Sequence, residues 1–197
     1  MLVAQTDSMK KPLLTAAALV SLLVSAATQA ALPQGARAPQ IVTQGALDGK
    51  PFAFDLRAAL RGGPVVLYFY PRAFSQGCTL EAHAFAEAAD QFKAAGATLI
   101  GLSNDDLPTL QRFSTAECRS KFAVAVASPE TIRAYDVPLV LPPEMAARAA
   151  AMPQGLSSRT SFVIARNGRI ALAYSNLDYR DHVHMTLDAV KALRSAR

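Results

Sequence analysis

Apolar residues along the chain follow two rhythms, one unbroken or of period two, the other of period 3.6. Val65 to Tyr70 is an unbroken apolar, β-branched and aromatic run, the mark of a strand buried on both faces. Leu80, Ala84, Phe85, Ala88 and Phe92 then recur at helical spacing among Glu81, Glu87, Asp90 and Lys93, with Gly96 placed as a terminating glycine. This predicts a helix that begins at or beside Cys78. Ala97 to Ser103 predicts a second strand, and Asp105 to Lys121 a second helix, with Asn104 or Asp105 as its cap and Pro108 in its first turn. Phe122 to Ala127 follows as a third strand, and a short helix begins near Pro129. Ser161 to Arg166 and Arg169 to Tyr174, joined by Asn167-Gly168, predict a hairpin of the type that dipeptide favours. A last helix covers Tyr179 to Arg194. Leu32 to Gly49 reads as an irregular lead, and the Pro- and Ala-rich stretch from Val137 to Gly155 matches neither rhythm. The order predicts an α/β fold: three layers, with a central mixed sheet flanked by helices.

Residues 1–30 are a different kind of sequence. Met9-Lys10-Lys11 is a basic start, Pro12 to Ala27 an apolar run, and Thr28-Gln29-Ala30 a small-residue end. Together they read as a secretory signal peptide cleaved after Ala30, with Met9 a better initiator than Met1, and they place the mature protein in the periplasm or outside the cell. The apolar run is short and interrupted for a membrane span, and the competing reading is an uncleaved N-terminal anchor. Residues 31–197 then form one domain, long enough to bury its own core. Lys10, Lys11 and Asp7 fall in the signal, so the formal charge drops from +5 to +4, spread without a basic run between aromatics. That distribution argues against a nucleic-acid partner.

Two cysteines carry the candidate chemistry. Cys78 follows a strand and a Pro-containing turn and sits at a helix start, where unpaired N–H groups and the positive end of the helix dipole favour a thiolate. A core cysteine gains nothing from that position.

The stretch Pro71, Ser75, Cys78 resembles the peroxide-reducing centre of the peroxiredoxins of the AhpC/TSA superfamily, in particular the bacterioferritin-comigratory or Q-type branch. In that branch a Pro and a Thr or Ser precede the reactive cysteine. Arg159-Thr160-Ser161-Phe162-Val163-Ile164, followed by Asn167-Gly168, resembles the branch's distant Arg motif. The resemblance covers residues 36–194 and implies a thioredoxin-like fold and a thiol-dependent peroxidase. Its substrates would be hydrogen peroxide or small organic hydroperoxides, and it would use no cofactor and no metal. It also implies roles: Cys78 attacks, Arg159 stabilises the thiolate and the leaving oxygen, Ser75 offers a hydroxyl to the peroxide, and Pro71 fixes and shields the turn. Gly77 and Glu81 support them, Gly77 by allowing close approach and Glu81 by orienting an Arg or merely by favouring the first helical turn. Gln76 stands where Pro is usual in the branch.

The sulfenic acid left on Cys78 must be reduced by another thiol. Many Q-type proteins carry a resolving Cys five residues on, where this chain has His83. Cys118, expected on the second helix, is open to three readings: resolving thiol, core residue, or partner in a permanent disulfide worth roughly 4 kcal/mol by loop closure. The external reductant is expected to be a thioredoxin-like protein or a small thiol, and the protein a monomer or homodimer. His83 reads as solvated, and His182 and His184, two apart on a helix, fall on different faces. Two other classes compete: a thioredoxin-fold copper carrier, disfavoured by Ala82 where Cys-x-x-x-Cys needs a second sulfur, and a catalytically impaired binding or holdase module. Glu81 likewise stands where a disulfide oxidoreductase would have its second Cys.

Overall fold

A computed structural model describes residues 1, 31–141, 143–145, 147, 152 and 155–195. The expected signal segment therefore lies outside the described residues, apart from Met1. The strands are β1 (Val42–Leu47), β2 (Lys50–Asp55), β3 (Val65–Phe69), β4 (Thr98–Ser103), β5 (Ala123–Val126), β6 (Thr160–Ile164) and β7 (Ile170–Ser175). The helices are α1 (Leu56–Gly62), α2 (Gln76–Ala94), α3 (Leu107–Ala116), α4 (Pro129–Ala134) and α5 (His182–Ser195). All seven strands form one sheet in the order β2-β1-β5-β4-β3-β6-β7, parallel at β3/β4 and β4/β5 and antiparallel elsewhere.

The unbroken apolar run of β3 is explained by its central place. Val66, Tyr68 and Tyr70 enter a core shared with Phe85 and Phe92 of α2, Phe113 of α3 and Val190 of α5. Val65, Leu67 and Phe69 enter the opposite core with Leu56 and Leu60 of α1 and Ile132 of α4. Helices on both sides of a mixed sheet make the thioredoxin-like arrangement that the element order predicts.

Four expectations change. The lead from Leu32 to Gly49 is not irregular throughout: Val42 to Asp55 is a hairpin turned by Asp48 (φ 51°) and Gly49 (φ 72°), both left-handed as a two-residue turn requires. Helix α3 is shorter than Asp105 to Lys121. Its cap is Asp106, whose carboxylate accepts from the Thr109 N–H at 2.8 Å, and it ends at Ala116. Cys118 thus lies beyond the helix, in a turn where Arg119 (φ 51°) and Ser120 (φ 56°) are both left-handed. In the β6/β7 hairpin only Gly168 is left-handed. Its N–H donates to Ala165 O at 2.8 Å, and the Ala165 N–H donates to Arg169 O at 2.9 Å. That makes a three-residue turn with a bulge in place of the two-residue turn expected of Asn167-Gly168. The last helix starts at His182, after a 3-10 turn at Tyr179–Asp181 capped by Asp178. Among the described residues of the unassigned Pro/Ala stretch, Pro143–Met145 form a second 3-10 turn.

Candidate active site

Where β3 ends, the Tyr70 N–H still pairs with Leu102 O at 3.0 Å, and the Ser157 hydroxyl holds Tyr70 O at 2.9 Å. Pro71, half-buried, has no N–H to continue the ladder. The chain then turns through Phe74, whose φ of 60° is left-handed. One carboxylate oxygen of Asp105 pins this turn, accepting from the Ala73 N–H at 2.7 Å and from the Ser103 hydroxyl at 2.8 Å. Ser75 is the N-cap residue of α2 by backbone conformation, and its hydroxyl donates to Arg72 O at 3.0 Å instead of capping the helix. The first helical hydrogen bond runs from Thr79 N to Ser75 O, so the Gln76, Gly77 and Cys78 amides precede it.

Cys78, in this first turn, is 1% exposed. Arg159 reaches it from the segment before β6: Nη2 donates to Cys78 Sγ at 3.6 Å, Nη1 donates to Glu81 Oε2, and Nε donates to Leu177 O at 2.9 Å. A Cβ on Gly77 would lie 3.1 Å from Arg159 Nη2. Glycine here lets the guanidinium lie against the helix start. Glu81 is fully buried one turn on, and burial pushes its carboxyl up to about 8 against the lowering effect of Arg159. The Glu81–Arg159 contact is the one that the Arg-orienting reading of Glu81 calls for.

Ser75, Pro71, Gly77, Cys78, Glu81 and Arg159 are therefore brought together around one helix start. The Ser75 hydroxyl is exposed and turned toward its own loop, away from a bond with Cys78. Cys118 is not on a helix, as the corrected length of α3 requires, but it is fully buried and shares a core with Cys78, Tyr68 and Tyr70. Burial, and secondarily the Glu117 carboxylate, push its thiol well above the ordinary range. Both cysteines are free thiols. His83 is half-buried and bonded to Glu117 at 2.7 Å, so it is less solvated than its sequence position suggests.

Sequence reasoning missed His182, which is fully buried. Its Nδ1 lies 2.8 Å from Ser161 Oγ and 3.7 Å from Glu81 Oε1, and its Nε2 lies 2.9 Å from Asn176 O. Helical spacing separated it from His184 and offered no sign of what faced it. The sequence presents Asp105 only as a cap candidate, because its partner, the Ala73 amide, lies 32 residues away in sequence.

The model of the AhpC/TSA family matches residues 34–173. The chloroplastic peroxiredoxin Q of Populus jackii is 30% identical over 159 residues, covering 80% of this chain and 68% of that protein. Its counterpart from Suaeda salsa is 33% identical over 137 residues, 68% of this chain and 58% of that one. Among solved structures, peroxiredoxin Q of Xanthomonas campestris is 28% identical with a TM-score of 0.62, covering 76% of this chain and 89% of that one. Peroxidoxin BcpB of Mycobacterium tuberculosis is 25% identical with a TM-score of 0.66, covering 83% and 97% respectively.

Proposed function

Because the chain belongs to the AhpC/TSA family, we propose that it is a thiol-dependent peroxidase whose reacting atom is Cys78 Sγ. The single observation that carries the reading is the Arg159 guanidinium, bonded at once to Cys78 Sγ and to the buried Glu81. A permanent cation set against the sulfur faces the charge that develops when a peroxide bond breaks.

In the reaction the thiolate attacks one peroxide oxygen in line with the O–O bond. The S–O bond forms as the O–O bond breaks, the electron pair leaves with the distal oxygen, and a proton converts that oxygen to water or alcohol. The arrangement suits hydrogen peroxide or a small organic hydroperoxide. The sulfenic acid on Cys78 is then attacked by a second thiolate: the S–S bond forms as the S–O bond breaks, and the departing hydroxide takes a proton to become water. That thiolate comes from Cys118 or from an external thiol, with a thioredoxin-like protein or a small thiol supplying the electrons. In the packed state the Cys118 thiol is buried and held protonated, so it resolves only after its turn leaves the core. A permanent bond to Cys118 would tie up the sulfur that attacks the peroxide, so the permanent-disulfide reading is incompatible with a peroxidase. The basic start, apolar run and Thr28-Gln29-Ala30 support export to the periplasm or beyond.

The impaired-module reading is not favoured, since the thiol, cation and carboxylate are all in contact. The copper-carrier reading lacks its second sulfur one helical turn on, where Ala82 stands, and among the described residues no group of three or more His, Cys, Asp or Glu side chains is placed to hold a metal.

The test is intact mass after one equivalent of hydrogen peroxide, on pre-reduced protein and on Cys118→Ser, each with a sulfenic-acid trap. Loss of two hydrogens in the parent and a trapped adduct on Cys78 in the variant are expected if Cys118 resolves. An adduct in both assigns resolution to an external thiol, and an unoxidised Cys78 overturns the peroxidase reading.

A further inference from the structure

Behind the guanidinium lies a second layer of polar groups. Glu81 Oε2 accepts from Arg159, whereas Oε1, fully buried, has no hydrogen-bond partner among the described residues. A buried carboxylate oxygen in that state is costly, and a proton on it removes the cost only if the resulting O–H finds an acceptor. The candidate acceptor is His182 Nδ1 at 3.7 Å. Its tautomer follows from its other nitrogen: Asn176 O can only accept, so Nε2 carries the hydrogen, and in the neutral ring Nδ1 offers a lone pair. In the structure that lone pair faces the Ser161 hydroxyl at 2.8 Å.

We propose that His182 is a positioning residue of the thiol site: its Nδ1 is the acceptor for a proton held on Glu81 Oε1, and by keeping Glu81 neutral it leaves the Arg159 charge to Cys78. Ser161 competes for the same lone pair. When Glu81 is ionised, Ser161 donates to Nδ1 and Glu81 takes its share of the guanidinium. When Glu81 is protonated, Oε1 closes from 3.7 Å to hydrogen-bond length and displaces the serine hydroxyl. The one covalent bond that changes is Oε1–H, formed or broken as one proton is bound or released.

The surrounding charges permit this. Glu81 faces Arg159 from before β6, His182 from α5, the Tyr68 hydroxyl from β3 and Cys78 from its own helix. His182 faces Arg159 and Glu81, with Asp178 and Asp181 from the 3-10 turn and the Tyr174 ring 4.8 Å away on β7. Burial and Arg159 hold the imidazole down to about 4, so it is a neutral acceptor at neutral pH.

The proposal rests on the peroxidase reading for its consequence, but its proton can be read without turnover. Infrared difference spectra of reduced protein give the protonated carboxyl band of Glu81, assigned by its loss in Glu81→Gln. The rate of Cys78 oxidation by hydrogen peroxide gives a second readout against pH. In the parent the band is expected to titrate out near pH 8, with a matching alkaline fall in rate. His182→Gln keeps a donor for Asn176 O but loses the acceptor, and both transitions should move down by about one pH unit, the size of one net buried hydrogen bond. His182→Asn places an oxygen where Nδ1 was and should restore the parent position. Ser161→Ala frees the lone pair and should shift both transitions upward. Rescue by Gln and not by Asn, or an unmoved band in Ser161→Ala, overturns the proposal. If Cys78 is not oxidised at all, the peroxidase reading fails while the infrared titration still decides the proton's place.

Discussion

Arg159 joins three parts of the chain through one side chain: the carbonyl of Leu177, the carboxylate of α2 and the sulfur at the start of that helix. Its plane and its fixed fork of donors make this possible, whereas a lysine offers a compact ammonium without the fork that reaches Leu177 O, Glu81 and Cys78 from one rigid plane. Replacing Arg159 by Ala removes the cation from both thiolate and leaving oxygen. Losing a preorganised charge of this kind costs on the order of 10²-fold in rate, and Cys78 oxidation in Arg159→Ala should slow by about that factor. Arg159→Lys should recover part of it. Stopped-flow oxidation by hydrogen peroxide, with ultraviolet absorbance to follow the thiolate, provides the measurement. A rate in Arg159→Ala equal to the parent's across pH would remove the residue from the mechanism. Gly77 belongs to the same argument, because the guanidinium occupies space that a Cβ would crowd.

The turn carrying Cys118 is strapped to helix α2 by three side-chain pairs. His83 meets Glu117 at 2.7 Å, Glu87 meets Arg119 at 3.4 Å, and Asp90 meets Lys121 at 3.2 Å. The two outer pairs are exposed and individually weak. His83 and Glu117 are half-buried and stand beside the buried thiol, so this pair holds the turn most directly. If Cys118 resolves, His83→Ala should let the turn leave the core more often and speed formation of the Cys78–Cys118 disulfide several-fold, while the preceding oxidation of Cys78 is unchanged. Rapid-quench mass analysis separates the two steps, and a disulfide rate that does not rise would assign the restraint elsewhere. This strap was not readable from the sequence, since α2 and residues 117–121 each look like an ordinary charged surface until the fold lays them together. The central elements were readable because their burial is uniform: β3 needs apolar residues on both faces, and α2 needs one continuous stripe. The first hairpin was missed because its strand Val42–Leu47 buries only Gly45 and Ala46 fully. Small residues serve there, as the ring of Phe52 and the Val124 carbonyl lie where a Cβ on Gly45 would be. Asp48-Gly49 carried the available signal. In the site, Cys78 and Arg159 could be found from their motifs, whereas His182 depends on which face of α5 meets α2, and spacing within one helix does not contain that.

Across the whole molecule, two buried groups shift in opposite directions and shape stability against pH. Glu81 is raised from 4.5 in the open chain to about 8 in the fold, so the folded state binds its proton more tightly. Its contribution is fully present below pH 4.5 and is lost as pH rises through 8. His182 is lowered from 6.5 to about 4, so its contribution is fully present above pH 6.5 and is lost as pH falls through 4. Between 4.5 and 6.5 the two slopes oppose, which flattens the profile. Between 6.5 and 8 only Glu81 acts, and stability should fall by on the order of 2 kcal/mol over that interval. Glu81→Gln cannot titrate and should remove that fall, whether or not its absolute stability matches the parent's. Urea unfolding of reduced protein at pH 6.5 and pH 8 tests this, because a shift in midpoint at constant slope reports stability alone. Equal falls in the parent and in Glu81→Gln would mean that the carboxyl is already ionised at pH 6.5, held there by Arg159 at the expense of the charge available to Cys78.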